Sequence, residues 1–278
     1  MSYVDSPQKK QKHPHYEHRT NKLDRKDNEF TSKKFHHVRN VSTHKKLIKS
    51  FGRIGMRLND KPIRIIPVGD LDKVCFILIN DYEEESLIDK ERDLGVGPLN
   101  DGYLVGLKHH RLGFKVFYLY NAGSAEFSSY LAFFLKSATK ALTVYYSGRG
   151  NKCGIEFVNN EVMTKSSIKE IISKNCNNEA HVIFISETLH GGSVFDVEGS
   201  KNLISLSVEK NKNENEKENK RSQGIFTYYL CKMIGECPNI TPTRLIERMK
   251  PSLARFEESF NCEYSNKELS GIPMYSTN

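Results

Sequence analysis

Ala141-Leu-Thr-Val-Tyr-Tyr-Ser-Gly-Arg-Gly150 is an apolar, β-prone run of six residues that stops abruptly at Ser-Gly-Arg-Gly. A continuous apolar run suits a strand covered on both faces, and small residues at its end place loop chemistry at the carboxyl edge of a parallel sheet. His181-Val-Ile-Phe-Ile-Ser-Glu-Thr-Leu-His-Gly-Gly-Ser193 has the same design, a buried strand running into a glycine-rich turn. Two such edges can face each other across one cleft.

Upstream, Lys73-Val-Cys-Phe-Ile-Leu-Ile79 and Lys115-Val-Phe-Tyr-Leu-Tyr120 read as two further central strands. Between them Leu99 to Leu107 forms a helix, with Asn100 or Asp101 near its cap and Leu104, Leu107 and Leu112 as its buried stripe. Ser124 caps a second helix, whose Phe127, Leu131, Phe134, Leu135 and Ala138 recur at helical spacing. Ile155 to Asn160 suggests a small hairpin, and Ser167-Ile-Lys-Glu170 is a capping-box start for a third helix. Leu203-Ile-Ser-Leu-Ser207 is a fifth strand, 224–234 a helix, Thr241-Pro242 the start of another, and Leu269 to Tyr275 a sixth, edge strand. This alternation predicts an α/β fold with a mostly parallel central sheet of about six strands and helices on both faces.

In order and spacing the two glycine-ended strands resemble the caspase/metacaspase proteases, where one strand ends in Tyr-Tyr-Ser-Gly-His-Gly and the next in Asp-Cys-Cys-His-Ser-Gly-Ser. The resemblance spans about residues 70 to 275. Asn100-Asp101 stands where the family has its Asn-Asp, Gly224-Ile-Phe-Thr resembles its Gly-x-Phe-Thr helix start, and Leu203 to Ser207 matches its Ser-containing strand. The resemblance implies a caspase-like three-layer sandwich over residues 63–278. A mobile charged loop at 208–223 falls where caspases are cleaved.

The resemblance fails at the two residues that carry the chemistry. Arg149 stands where the family has its general-base histidine, and Leu189 where it has its nucleophilic cysteine. Leucine has no lone pair to attack a carbonyl, and a guanidinium stays protonated at any relevant pH. Around this degenerate pair the resemblance places a pocket for an Arg or Lys side chain at Asp101, Ser147 and Glu187, and an oxyanion loop at Gly148 and His190. The alternative for Glu187 is neutralisation by Arg149 across the cleft, and Thr188 is expected to face away. Asp196 fits one ligand of the family's calcium site, but Asn159-Asn160 stand where more acids are expected; no cofactor or metal is implied.

The chain has 278 residues, 42 Lys/Arg and 34 Asp/Glu. The first fifty residues hold thirteen cations against five anions, which is the whole net charge of +8. Residues 1–62 therefore read as a basic, disordered tail able to steer toward nucleic acid, an anionic membrane or an acidic partner. Its histidines lack the Cys or carboxylate at fixed spacing that a metal site needs. Six cysteines without zinc-type pairing read as reduced thiols, and no run approaches a membrane span or a signal peptide. A cytoplasmic protein, or a nuclear one, is expected. Three functions stay open: a pseudoprotease that binds a protease relative or a basic peptide segment, an active cysteine endopeptidase using a displaced residue such as Cys153, and a nucleic-acid-associated protein acting through the tail.

Overall fold

The computed structural model describes residues 41–82, 92–177, 179–189, 192–198, 200–210, 224–255 and 258–275. Among these, seven strands form one sheet in the order β1-β3-β2-β4-β7-β8-β9, and β5 and β6 form a separate hairpin. The strands are β1 (Gly55–Arg57), β2 (Lys73–Ile79), β3 (Lys115–Tyr120), β4 (Ala141–Arg149), β5 (Gly154–Glu156), β6 (Val162–Thr164), β7 (His181–Leu189), β8 (Leu203–Lys210) and β9 (Glu258–Tyr264). Six strands of the sheet run parallel and β9 alone is antiparallel.

Six helices accompany them: α1 (Val41–Phe51), α2 (Gly97–Arg111), α3 (Ser124–Ser137), α4 (Lys165–Asn175), α5 (Ile225–Glu236) and α6 (Pro242–Ala254). The pleat sends alternate residues to opposite faces. Leu142, Val144 and Tyr146 of β4 join a core with Phe127, Leu131 and Phe134 of α3 and Ile168 and Ile172 of α4. Tyr145, on the other face, hydrogen-bonds Thr227 of α5. Aromatic packing consolidates the α3 side: Phe76 lies 5.8 Å from Phe127 and 5.0 Å from Phe134, between ring centroids. Each such buried ring contributes on the order of 2–3 kcal/mol of transfer free energy.

Several expectations are corrected by this geometry. Ordered structure begins by residue 41, so the boundary at 62 falls inside the fold; Phe51 of α1 is fully buried and stacks on Tyr118 at 4.0 Å. Residues 1–40 and the 211–223 part of the charged loop lie outside the described residues. The buried stripe of α2 is Asp101, Gly102, Val105, Gly106 and His109, with Leu104 and Leu107 only half-buried. The helix sits too close to the sheet for larger side chains: a methyl group at Gly102 would come within 2.6 Å of Ile79. Val96 is the N-cap of α2, not Asn100 or Asp101, and Gly123 precedes α3 without a side-chain cap. The cap of α4 is Thr164, whose hydroxyl accepts from the Ser167 N–H, so the capping box at Ser167 is displaced by three residues. Residues 269–275 form the end of a 3-10 helix (Lys267–Gly271) and a following turn, and β9 is the edge strand beside β8.

The turn that replaces the expected last strand drives Tyr275 into the sheet's α2 side. Its ring meets that of His109 edge-on at 5.0 Å, and both are buried. His109 donates Nδ1–H to the Val105 carbonyl at 2.9 Å, while Nε2 finds no partner among the described residues. Burial pulls the imidazole pKa from 6.5 down to about 4. The folded state therefore favours neutral His109, and the unfolded chain takes up the proton first as pH falls. The stability this contributes is fully present above pH 6.5 and is lost progressively toward pH 4, amounting to about 2 kcal/mol by pH 5. Urea unfolding at pH 7 and pH 5 is expected to show this loss in the wild type and a smaller one in His109→Gln. Equal losses in the two proteins would remove His109 as the cause.

Candidate functional site

The register of β4 and β7 brings the two strand ends together. Ser147 lies opposite Glu187, Gly148 opposite Thr188, and Arg149 opposite Leu189, all at the carboxyl edge of parallel strands. The Arg149 backbone is held from both sides by phenols. Its N–H donates to the Tyr82 hydroxyl at 3.1 Å, and its carbonyl accepts from the Tyr146 hydroxyl. Tyr82 in turn donates to the Glu156 carbonyl. Burial pushes the Tyr82 pKa up to about 12 and raises that of Tyr146 as well, so both stay protonated donors. Tyr82 reaches this position with φ of 59°, in the left-handed region, and the Arg92 guanidinium covers its ring at 5.2 Å.

The Arg149 side chain turns toward β5: Nε lies 3.8 Å from Glu156 Oε2, and Glu156 Oε1 accepts from Asn151 Nδ2 at 2.8 Å. An ion pair at that distance on a partly exposed surface contributes at most about 1 kcal/mol. Its consequence is orientation.

Asp101 from α2 and Glu187 from β7 are both buried, and both reach the first turn of α5. The Asp101 carboxylate accepts the Gly224 N–H with Oδ1 at 2.8 Å and Oδ2 at 3.0 Å. Glu187 Oε2 accepts the Thr227 N–H at 2.8 Å. Gly224 is the N-cap of α5 and has no side chain to cap with, so carboxylates from two other elements satisfy the orphan donors. Two anions at the positive end of a helix also complement its dipole. Tyr145 completes the group through its 2.7 Å hydrogen bond to the Thr227 hydroxyl, and burial, with the Asp101 and Glu187 charges adding, raises its pKa well above the usual phenol range. Ser147 is buried beside Glu187 in register. Backbone donors of the chain itself thus occupy acceptor sites of both acids.

Gly148 sits between Ser147 and Arg149 on β4, and His190 lies outside the described residues. Thr188 is buried on the opposite face from Glu187, and its hydroxyl donates to the Gly192 carbonyl at 3.3 Å. Cys153 is exposed in the turn between β4 and β5, where its N–H donates to Asn151 Oδ1. Asp196 accepts from Lys169 Nζ at 2.8 Å and from the Glu198 N–H at 2.9 Å. Burial works to raise its pKa, but those two donors outweigh it and hold the carboxyl below the usual range. Asn159 and Asn160 belong to the hairpin turn, Asn160 with φ of 62°. Among the described residues no three His, Cys, Asp or Glu side chains group as a metal ion would require. The roles of Tyr82 and Glu156, and the contact of the α5 start with Asp101 and Glu187, escape a reading of the sequence alone; Tyr82 and the α5 contacts reach the site across 40 to 123 residues of chain.

Neither the protein-family models nor the curated protein sequences contain a match to this chain. Among 219 matching chains of solved structures is the crystal structure of the Drosophila initiator caspase Dronc. It superposes with a TM-score of 0.52 at 10% identity, over 74% of this chain and 84% of that one. The fold is caspase-like: a mixed α/β domain around a mostly parallel seven-stranded sheet. No helix among the described residues is long and apolar enough to cross a membrane.

Proposed function

We propose that this chain is a catalytically silent relative of the caspase/metacaspase proteases that acts by binding another protein. One observation carries the reading: Arg149 and Leu189 lie directly opposite each other at the ends of β4 and β7, the two positions where the family resemblance puts base and nucleophile. A carbonyl attack there has neither an electron pair to deliver nor a group to move the proton. Binding and oxyanion donors alone leave on the order of 10³–10⁴ over the water reaction, far short of a working protease. The engagement of Asp101 and Glu187 by α5 adds to this, since a substrate Arg or Lys would have to compete with buried charge-assisted hydrogen bonds. Partner classes consistent with the reading are an active relative and a protein segment bearing Arg or Lys.

The test is hydrolysis of Arg- and Lys-containing fluorogenic peptides by the full chain, with and without calcium. No turnover above buffer is expected. Turnover abolished by a thiol alkylator would overturn the proposal. Loss of such turnover in Cys153→Ala would assign it to the exposed thiol of the β4–β5 turn.

A further inference from the structure

The sheet edge formed by β1 carries a charge pattern that the site at β4 and β7 does not use. Between residues 41 and 64 the sequence has seven Lys or Arg and a single anion, Asp60. Lys45, Lys46 and Lys49 are exposed on α1, Arg53 on the turn that follows, and Arg57 on β1 itself. Lys61 and Arg64 are exposed just beyond. Among the described residues, ion pairs form at other cations, such as Lys115 with Asp70 and Lys140 with Asp72. Protein surfaces ordinarily intersperse the two signs, and a one-sign field attracts an anionic partner.

The cations flank the edge unequally. α1 packs on α2, on the α5 side of the sheet. The chain after β1 crosses to the other side, where the Tyr130 hydroxyl of α3 donates to the Leu58 carbonyl at 3.3 Å and also to that of Lys61. The α3 side also carries the Asp60 and Glu126 carboxylates, Glu126 accepting the Asp60 N–H at 2.9 Å, so the positive flank is the α1 side; beside it β1 ends the sheet, and among the described residues no strand pairs with its outer side. Leu58 N–H donates to the Tyr118 carbonyl of β3, so by strand alternation Met56 also faces β3, while Gly55 and Arg57 direct their N–H and C=O groups outward. Exposed aliphatic side chains lie in the same stretch: Met56 at 38%, Ile65 at 43% and Val68 at 61%.

From this arrangement we infer that the β1 edge is a docking surface for an extended acidic segment of a partner protein. The segment adds to the sheet as a strand, its carboxylates on the α1 face reaching Lys45, Lys49 and Arg53 and its alternate, apolar residues meeting Met56 on the other face. A phosphate backbone would find the outward carbonyls repulsive and would have no use for the aliphatic side chains. An anionic bilayer would leave the unpaired ladder unsatisfied. The competing explanation for cations on a short edge is protection against self-association; it predicts that no peptide binds.

The experiment is fluorescence anisotropy of the full chain with a labelled peptide of about ten residues alternating glutamate with valine or threonine. Competitors are a 20-base-pair DNA duplex and phosphatidylserine vesicles. Saturable binding is expected, weakened about 10-fold or more when Lys45, Lys49 and Arg53 are together replaced by glutamine. Arg57→Gln removes one charge and keeps the outward N–H, whereas Arg57→Pro removes both. Proline is tolerated at edges, and unchanged circular dichroism checks that the fold survives. Arg57→Pro is expected to bind at least about 5-fold more weakly than Arg57→Gln. Absence of peptide binding overturns the proposal, as does equal affinity in the two Arg57 variants. Tighter binding of duplex or vesicles than of peptide assigns the surface to that polyanion and also overturns it.

Discussion

Replacing Gly224 by alanine is expected to destabilise the protein by about 2–4 kcal/mol. A Cβ at this position would sit inside van der Waals distance of all three atoms of the Glu187 carboxylate group. That carboxylate is buried and committed to the Thr227 N–H. To make room, either Glu187 abandons its hydrogen bond or the start of α5 moves off both Glu187 and Asp101. The first leaves a buried donor unpaired at about 1–3 kcal/mol, and the second loses the Asp101 bonds as well. Urea denaturation followed by far-ultraviolet circular dichroism measures the loss as a shift in midpoint at constant slope. If the clash with Glu187 is the cause, Gly224→Ala costs markedly less in a Glu187→Ala background, giving a coupling of at least about 1 kcal/mol in the double-mutant cycle. Additive losses would refute the packing explanation.

The same contact illustrates what a linear reading can and cannot recover. β2, β4 and β7 are legible because strands covered on both faces must be continuously apolar, and no helix-period pattern competes. α2 reads on the wrong face for a related reason. Counting large apolar residues favours Leu104 and Leu107, yet the helix approaches the sheet through Gly102 and Gly106, and smallness carries no hydrophobic signal. At the edges the signal inverts. β9, Glu-Ser-Phe-Asn-Cys-Glu-Tyr, is mixed in polarity, whereas 269–275 is more apolar because Leu269, Met274 and Tyr275 anchor turns in the core. β1 is three residues long and ends in arginine, below the length at which alternation can be recognised. The strand ends at Arg149 and Leu189 are readable as neighbours from their shared design. What Asp101 and Glu187 touch is not, since that depends on a chain reversal that returns α5 to the sheet 123 and 40 residues later.

The largest effect is expected from restoring chemistry where the register already brings the two positions together. Leu189→Cys alone supplies a thiol but no base, and is expected to gain reactivity toward an alkylating agent without turnover. Arg149→His alone supplies a base with nothing to activate. The double variant places a thiol and an imidazole on adjacent strand ends, on backbone fixed by Tyr82 and Tyr146, and is expected to hydrolyse Arg or Lys peptides at least about 10³-fold faster than wild type. Neither single substitution should approach this, because nucleophile and base act as a unit and their contributions do not add. Arg149→His also removes the guanidinium from Glu156, a loss of about 1 kcal/mol for a partly exposed pair at that distance. If the double variant is folded, alkylated at the introduced thiol and still inert, the block lies in the acids held by α5, and adding Gly224→Ala should then raise the rate by freeing them. A variant inert in every combination would mean that the strand ends are not a degenerate catalytic pair, and the binding role proposed for the protein would lose its premise.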